Sequence, residues 1–154
     1  MDDLDDLYQE IILSHNKRPR NEGPLDPCDC QAEGYNPLCG DKIRVYVRAP
    51  GGCDGLIEAV SFTGEGCAIS RASASIMTDA VKNRPRAEVD ARIAEALHLL
   101  TSRDEPAGDL MTLGDLAALA GVRKFPPRVK CATLAWHTLE SALKGEGSAS
   151  TERE

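Results

Sequence analysis

The first apolar positions recur with helical spacing. Leu4, Leu7, Tyr8, Ile11 and Ile12 follow an i, i+3, i+4, i+7, i+8 stripe and predict an amphipathic helix over residues 2–14. Asp2, Asp3, Asp5 and Asp6 stand at its positive end, where the helix dipole favours acids. Residues 15–38 then lose all periodicity. Pro19, Pro24, Pro27 and Pro37, with Gly23 and Gly34, read as a long loop. At residue 42 the period drops to two: Ile43, Val45 and Val47 alternate with Lys42, Arg44, Tyr46 and Arg48. This is a half-buried strand. A turn over 49–55 leads to a returning strand with Val60 and Phe62 inward, although Glu58 shares their phase. An antiparallel hairpin follows, extended to three strands by part of the preceding loop.

The helical period then returns. Ile69, Ala72, Ile76 and Ala80 form a stripe over residues 67–83, stopped by Pro85. Val89, Ile93, Leu97 and Leu100 mark a helix over 86–102, and residues 102–109 read as a linker. A short helix is predicted over 112–120, with Thr112 as N-cap and Gly121 past its end. The last helix spans 127–144, with Ala132, Trp136, Leu139 and Leu143 inward. Residues 1–144 thus form one domain, and the polar residues 145–154 are expected to be disordered. The fold class is α+β: a small antiparallel sheet of two to three strands packed against about five α-helices.

Composition narrows the function. The 154 residues carry a formal net charge of −7, which disfavours general nucleic-acid binding. No apolar run approaches the ~20 residues that span a bilayer. The acidic start has the wrong polarity for a secretory signal, so the reading is a cytoplasmic protein, away from nucleic acid and membrane. Six cysteines (Cys28, Cys30, Cys39, Cys53, Cys67 and Cys131) in a reducing compartment suggest metal or thiol chemistry before disulfides.

Three of the six stand at element ends. Cys39 precedes the first clear strand, and Cys67 and Cys131 fall near predicted helix starts, where free N–H groups lower thiol pKa values. Arg123, Lys124, Arg128 and Lys130 flank Cys131 and push the same way. Zinc accepts three thiolates and the Asp41 carboxylate, and the basic neighbours would then balance an excess of negative charge. The residues alone favour three separate buried cysteines, with Asp41 as an ordinary turn residue.

NPLCGD (36–41), GEGCAIS (64–70) and FPPRVKCATLAW (125–136) resemble, in order, the motifs of the SufU/IscU family of iron–sulfur cluster assembly proteins, which also covers NifU N-terminal-like domains. The resemblance spans residues 2–144. The segment at 86–121 resembles the SufU branch, because IscU-type chains are shorter between the second and third cysteine. IscU-type chains also carry a histidine where this one has Lys130. The resemblance implies a SufE/IscU-like fold and a zinc site at Cys39, Asp41, Cys67 and Cys131. It implies a sulfur acceptor, a persulfide carrier with sulfurtransferase-type activity, that stimulates a SufS-type pyridoxal-phosphate cysteine desulfurase. Downstream Suf scaffold proteins would be further partners. The alternative is a scaffold on which an iron–sulfur cluster is assembled, with iron bound at the same residues.

Of the implied ligands, Cys39 is the best candidate to accept sulfur, since it sits on a Gly40-hinged loop end while the other two cysteines are fixed on helices. Arg128 is a candidate to hold a carboxylate at the site or on a partner. Cys28 and Cys30 read as an idle exposed pair and Cys53 as an incidental turn residue. His15, His98 and His137 read as surface or cap residues.

Overall fold

The computed structural model describes residues 3–37, 39–102 and 110–150. The chain opens with α1 (Asp3–Lys17), followed by β1 (Cys30–Asn36) and β2 (Asp41–Arg48). A short β3 (Leu56–Ile57), then β4 (Ala59–Glu65), α2 (Ala68–Val81) and β5 (Arg84–Pro85) come next. α3 (Arg86–Thr101), a 3-10 segment (Leu110–Lys124), α4 (Pro126–Leu143) and β6 (Ser148–Ser150) complete the order. The main sheet runs β4-β2-β1-β6, and β3 pairs with β5 in a separate ribbon. The α+β class and the small antiparallel sheet are as predicted.

β1 and β4 both pair antiparallel with β2, from Cys30↔Val47 to Asn36↔Asp41 and from Arg48↔Ala59 to Lys42↔Glu65. The pleat sends Ile43, Val45 and Val47 inward, as their alternation predicts, together with Val60 and Phe62. Glu58 is exposed in the break between β3 and β4. That break resets the phase, so Ile57 and Val60 can both be buried although three residues apart.

β1 emerges from the C-terminal part of the predicted loop. Its own alternation is faint, because the inward positions are Ala32, Gly34 and Asn36. Pairing with β2 makes it a strand, not intrinsic propensity. Gly34 has a packing reason: a Cβ there would run into the Thr138 side chain of α4. α4 therefore lies close on the sheet. Trp136, fully buried on α4, donates its ring N–H to Ser73 Oγ at 3.1 Å, and Ser73 Oγ donates to the Ala132 carbonyl at 2.6 Å. These bonds lock α2 to α4.

Three expectations meet a different outcome. The helix predicted over 112–120 is a longer 3-10 segment, kinked by non-helical backbone at Gly114 (φ 60°, ψ −138°), a conformation that glycine adopts freely. His15 is 1% exposed instead of superficial. It hydrogen-bonds Ser75 Oγ through Nδ1 and Asp115 Oδ2 through Nε2, each at 2.7 Å, tying α1 to α2 and the 3-10 segment. Its position one turn beyond Ile11 and Ile12 carries it to the inner face, while Leu7 is half exposed. Within the tail expected to be disordered, Ser148–Ser150 pair parallel with Glu33, Gly34 and Tyr35. Gly145 and Gly147 take positive φ and turn the chain back to this sheet edge.

Candidate metal centre

The pleat of β1 and β2 does not stop at the apolar residues. Asn36 continues the inward phase of Ala32 and Gly34, and Asp41 begins that of Ile43 and Val45. Both polar side chains are fully buried and face each other across the last pair of the ladder. Between them a tight turn carries Cys39, whose N–H donates to the Asn36 carbonyl at 3.3 Å. Gly40 takes φ +71°, which a glycine adopts freely. The turn leaves Cys39 exposed beside a buried carboxylate.

The two other cysteines arrive from helices. Cys67 is the N-cap of α2: its backbone is extended (φ −74°, ψ 165°), and its sulfur accepts from the Ser70 N–H at 3.5 Å. Its own N–H donates to Asp41 Oδ1 at 2.8 Å, so one carboxylate oxygen anchors the start of α2. Gly66 makes this approach possible, because its φ is +148° and a Cβ would overlap the Asp41 carboxylate. Cys131 lies deeper than the sequence suggested. It is the sixth residue of α4, beyond the first turn, and fully buried.

Ligand atoms of Cys39, Asp41 and Cys131 all lie within 4.8 Å of one another, a group that could hold a metal ion. The sulfurs of Cys39 and Cys131 are 3.3 Å apart. Cys67 joins through the carboxylate, with its sulfur 3.9 Å from Asp41 Oδ2. Four donors of a tetrahedral zinc, with Zn–S near ~2.3 Å, stand about 3.7 Å from each other. The spacing and the mixed thiol–carboxylate chemistry both suit that ion.

The electrostatics depend on occupancy by charge. Burial, then Cys39, Asp41 and Cys67 around it, pushes the Cys131 thiol well above its ordinary value. A cation among these groups reverses that preference and favours the thiolate. Arg128 is exposed on the first turn of α4. Cys67, then Cys131 and Cys39, raise its pKa, so the guanidinium is a fixed positive charge facing the thiols. Arg123 has another role: it donates to the Ser102 carbonyl at 2.8 Å. The Lys124 side chain lies outside the described residues.

Sequence reasoning missed two features. Asn36 donates through Nδ2 to Asp41 Oδ2 at 3.2 Å and lies 3.6 Å from Cys131 Sγ. The available signal was its phase with Ala32 and Gly34. Cys30 and Cys53, read as idle and incidental, are joined as a disulfide, while Cys28 is free and partly buried. Their 23-residue separation hides a proximity that the ladder and the 49–55 turn create. His98 is exposed, and His137 is partly buried with Nδ1 3.8 Å from Glu140 Oε1.

The NifU-like N-terminal domain matches residues 7–144. The chain belongs to that family. It is 41% identical over 146 residues to the zinc-dependent sulfurtransferase SufU of Bacillus subtilis, covering 93% of each chain. It is 39% identical to the iron–sulfur cluster assembly scaffold protein IscU of Streptococcus pyogenes, covering 95% of this chain and 88% of that one. Among solved structures, the putative iron–sulfur cluster assembly scaffold protein for the SUF system from Fervidobacterium islandicum superimposes with a TM-score of 0.76 at 32% identity, covering 87% of this chain and 94% of the other. No helix among the described residues is long and apolar enough to cross a membrane.

Proposed function

We propose that this family member is a zinc-dependent sulfur acceptor in iron–sulfur cluster assembly. It takes sulfur from a cysteine desulfurase, of the pyridoxal-phosphate SufS type, in the cytoplasm. The observation that carries the reading is the convergence of Cys39, Asp41, Cys67 and Cys131, with Cys39 alone among the three thiols exposed. The 41% identity to a zinc-dependent sulfurtransferase supports the choice of metal.

Cys39, Asp41, Cys67 and Cys131 would hold the zinc, which when bound keeps thiolates deprotonated at neutral pH. The chain's residues divide the remaining work. Cys67 and Cys131 are fixed by α2 and α4. Cys39 rides on a turn hinged at Gly40 and is the sulfur an incoming partner can reach. Its thiolate attacks the terminal sulfur of a persulfide on the desulfurase. A new S–S bond forms on Cys39, the partner's S–S bond breaks, and the partner's cysteine leaves as thiolate. Arg128, positive and exposed beside the three thiols, favours the anionic form of the attacking group.

The test is a desulfurase assay with and without the protein, coupled to mass detection of one added sulfur on Cys39. Unchanged turnover with no added sulfur overturns the reading. The scaffold alternative is favoured by the 39% identity to IscU of Streptococcus pyogenes. Protein purified without reconstitution separates the two: colourless with stoichiometric zinc, or brown with iron.

A further inference from the structure

We propose that Asn36 is a positioning residue of the metal centre, a buried amide whose two N–H groups hold Asp41 and Cys131 in their anionic, ligating orientation. This rests on the zinc reading above. Asn36 is fully buried at the end of β1, with Nδ2 3.2 Å from Asp41 Oδ2 and 3.6 Å from Cys131 Sγ. A carboxylate and a thiolate are both acceptors, so the amide nitrogen must face them, and its two hydrogens match two acceptors. An aspartate or a leucine at this position could not do the same.

Each anionic group of the cluster draws donors from a different place. Asp41 Oδ1 accepts from the Cys67 N–H, and Cys67 Sγ accepts from the Ser70 N–H. Both of these donors are backbone groups at the free end of α2. Cys131 has no such supply, because it lies past the first turn of α4, where backbone N–H groups are committed to the helix. It depends on side chains: Arg128 from the solvent side and Asn36 from the interior. Asn36 Nδ2 also reaches both Cys131 and Asp41, and so touches a helix-borne ligand and a strand-borne one at once. Outer partners of this kind fix ligand orientation and tune the metal.

The backbone holds the residue in place without its amide. Asn36 pairs with Asp41 in the ladder, and its carbonyl accepts from Cys39 N–H. Asn36→Ala and Asn36→Leu therefore remove the donor and keep the turn, and Leu also keeps the branched side-chain shape. The experiment titrates zinc against a competing chelator and records the thiolate-to-metal charge-transfer band of the cobalt(II)-substituted protein, for wild type and both variants. Wild-type binding that fails outright overturns the zinc reading itself. With wild-type binding intact, the expected result is a ~10- to 100-fold weaker zinc affinity in both variants. The charge-transfer band should also move to lower energy, because a thiolate without its hydrogen bond gives up charge more easily. Unchanged affinity with an unshifted band in either variant overturns the positioning role, even if the melting temperature falls.

Discussion

The β1–β2 pair ends in cysteine clusters at both extremities, and the two ends differ in kind. At the Asn36↔Asp41 end, sulfurs from a turn and two helices gather round a buried carboxylate. At the Cys30↔Val47 end, two sulfurs from neighbouring segments bond to each other. The carboxylates at that second end are engaged elsewhere: Asp29 accepts from the Ala49 N–H at 2.7 Å, and Asp54 pairs with Arg86 at 3.3 Å. Cysteine count therefore says little about chemistry. What separates the ends is whether a carboxylate faces inward in phase with the core, and whether helix termini point at it.

The largest effect that distinguishes the ends is loss of metal. Cys67→Ala or Cys131→Ala should abolish stoichiometric zinc and lower the melting temperature, because metal binding free energy is folding free energy here. Removing the buried Cys131 also leaves a cavity. Metal analysis and thermal melts of the purified variants check both. Retention of full zinc by Cys131→Ala would erase the difference between the ends.

Cys39→Ala should act on transfer more than on binding. Cys39 is the exposed member, and Cys67, Cys131 and Asp41 remain in place on their elements. The variant should hold measurable zinc yet acquire no sulfur and fail to stimulate the desulfurase. Asp41→Ala is subtler: it also removes the acceptor of the Cys67 N–H. It should keep zinc on three thiolates and lose turnover. An active Cys39→Ala, with sulfur found on Cys67 or Cys131, would reassign the mobile thiol.

Gly66→Ala sharpens the same point through the backbone. Its φ of +148° and the overlap of a Cβ with the Asp41 carboxylate make the substitution strained. The cost is about 1–3 kcal/mol, at a few degrees of melting temperature per kcal/mol for a chain of this size. Zinc affinity should fall with it, since Asp41 has to shift. A melt and a chelator titration measure the two effects separately.

The sequence carried the helices of residues 68–81, 86–101 and 126–143 because their buried stripes have clear helical period, and it carried β2 because Ile43, Val45 and Val47 alternate strictly. The residues brought together at Cys39, Asp41 and Cys131 were legible through three motifs and not through spacing, since 28 and 64 residues separate the cysteines. The rest was hidden for physical reasons. β1 turns inward on alanine, glycine and asparagine, which carry no apolar signal. His15 is polar but occupies a core position whose partners, Ser75 and Asp115, are 60 and 100 residues away. Asn36 and the Cys30–Cys53 pair both depend on register across β1 and β2, which no local window contains.

The smallest effect on the metal centre should come from the far end. Cys30→Ser removes a link that closes a segment containing the whole β1–β2 turn, Cys39 and Asp41 included. In the chain-entropy account, losing a loop of this size costs about 3 kcal/mol, chiefly by freeing the unfolded state. The native hairpin keeps its other ties. The ladder runs unbroken from Cys30 to Asn36, the Asp29 N–H donates to the Val47 carbonyl at 2.7 Å, and Arg86 Nη1 donates to the Cys53 carbonyl at 2.9 Å. β1 also separates the two ends by its full length, about 20 Å at ~3.4 Å per residue. The melting temperature should therefore fall while zinc affinity and sulfur acceptance stay at wild-type values. A peptide map without reductant should join Cys30 to Cys53 and find Cys28 open to alkylation. Zinc loss in Cys30→Ser would mean that the two ends act as one unit, and a map with Cys30 and Cys53 both alkylated would remove the far-end cluster from the comparison.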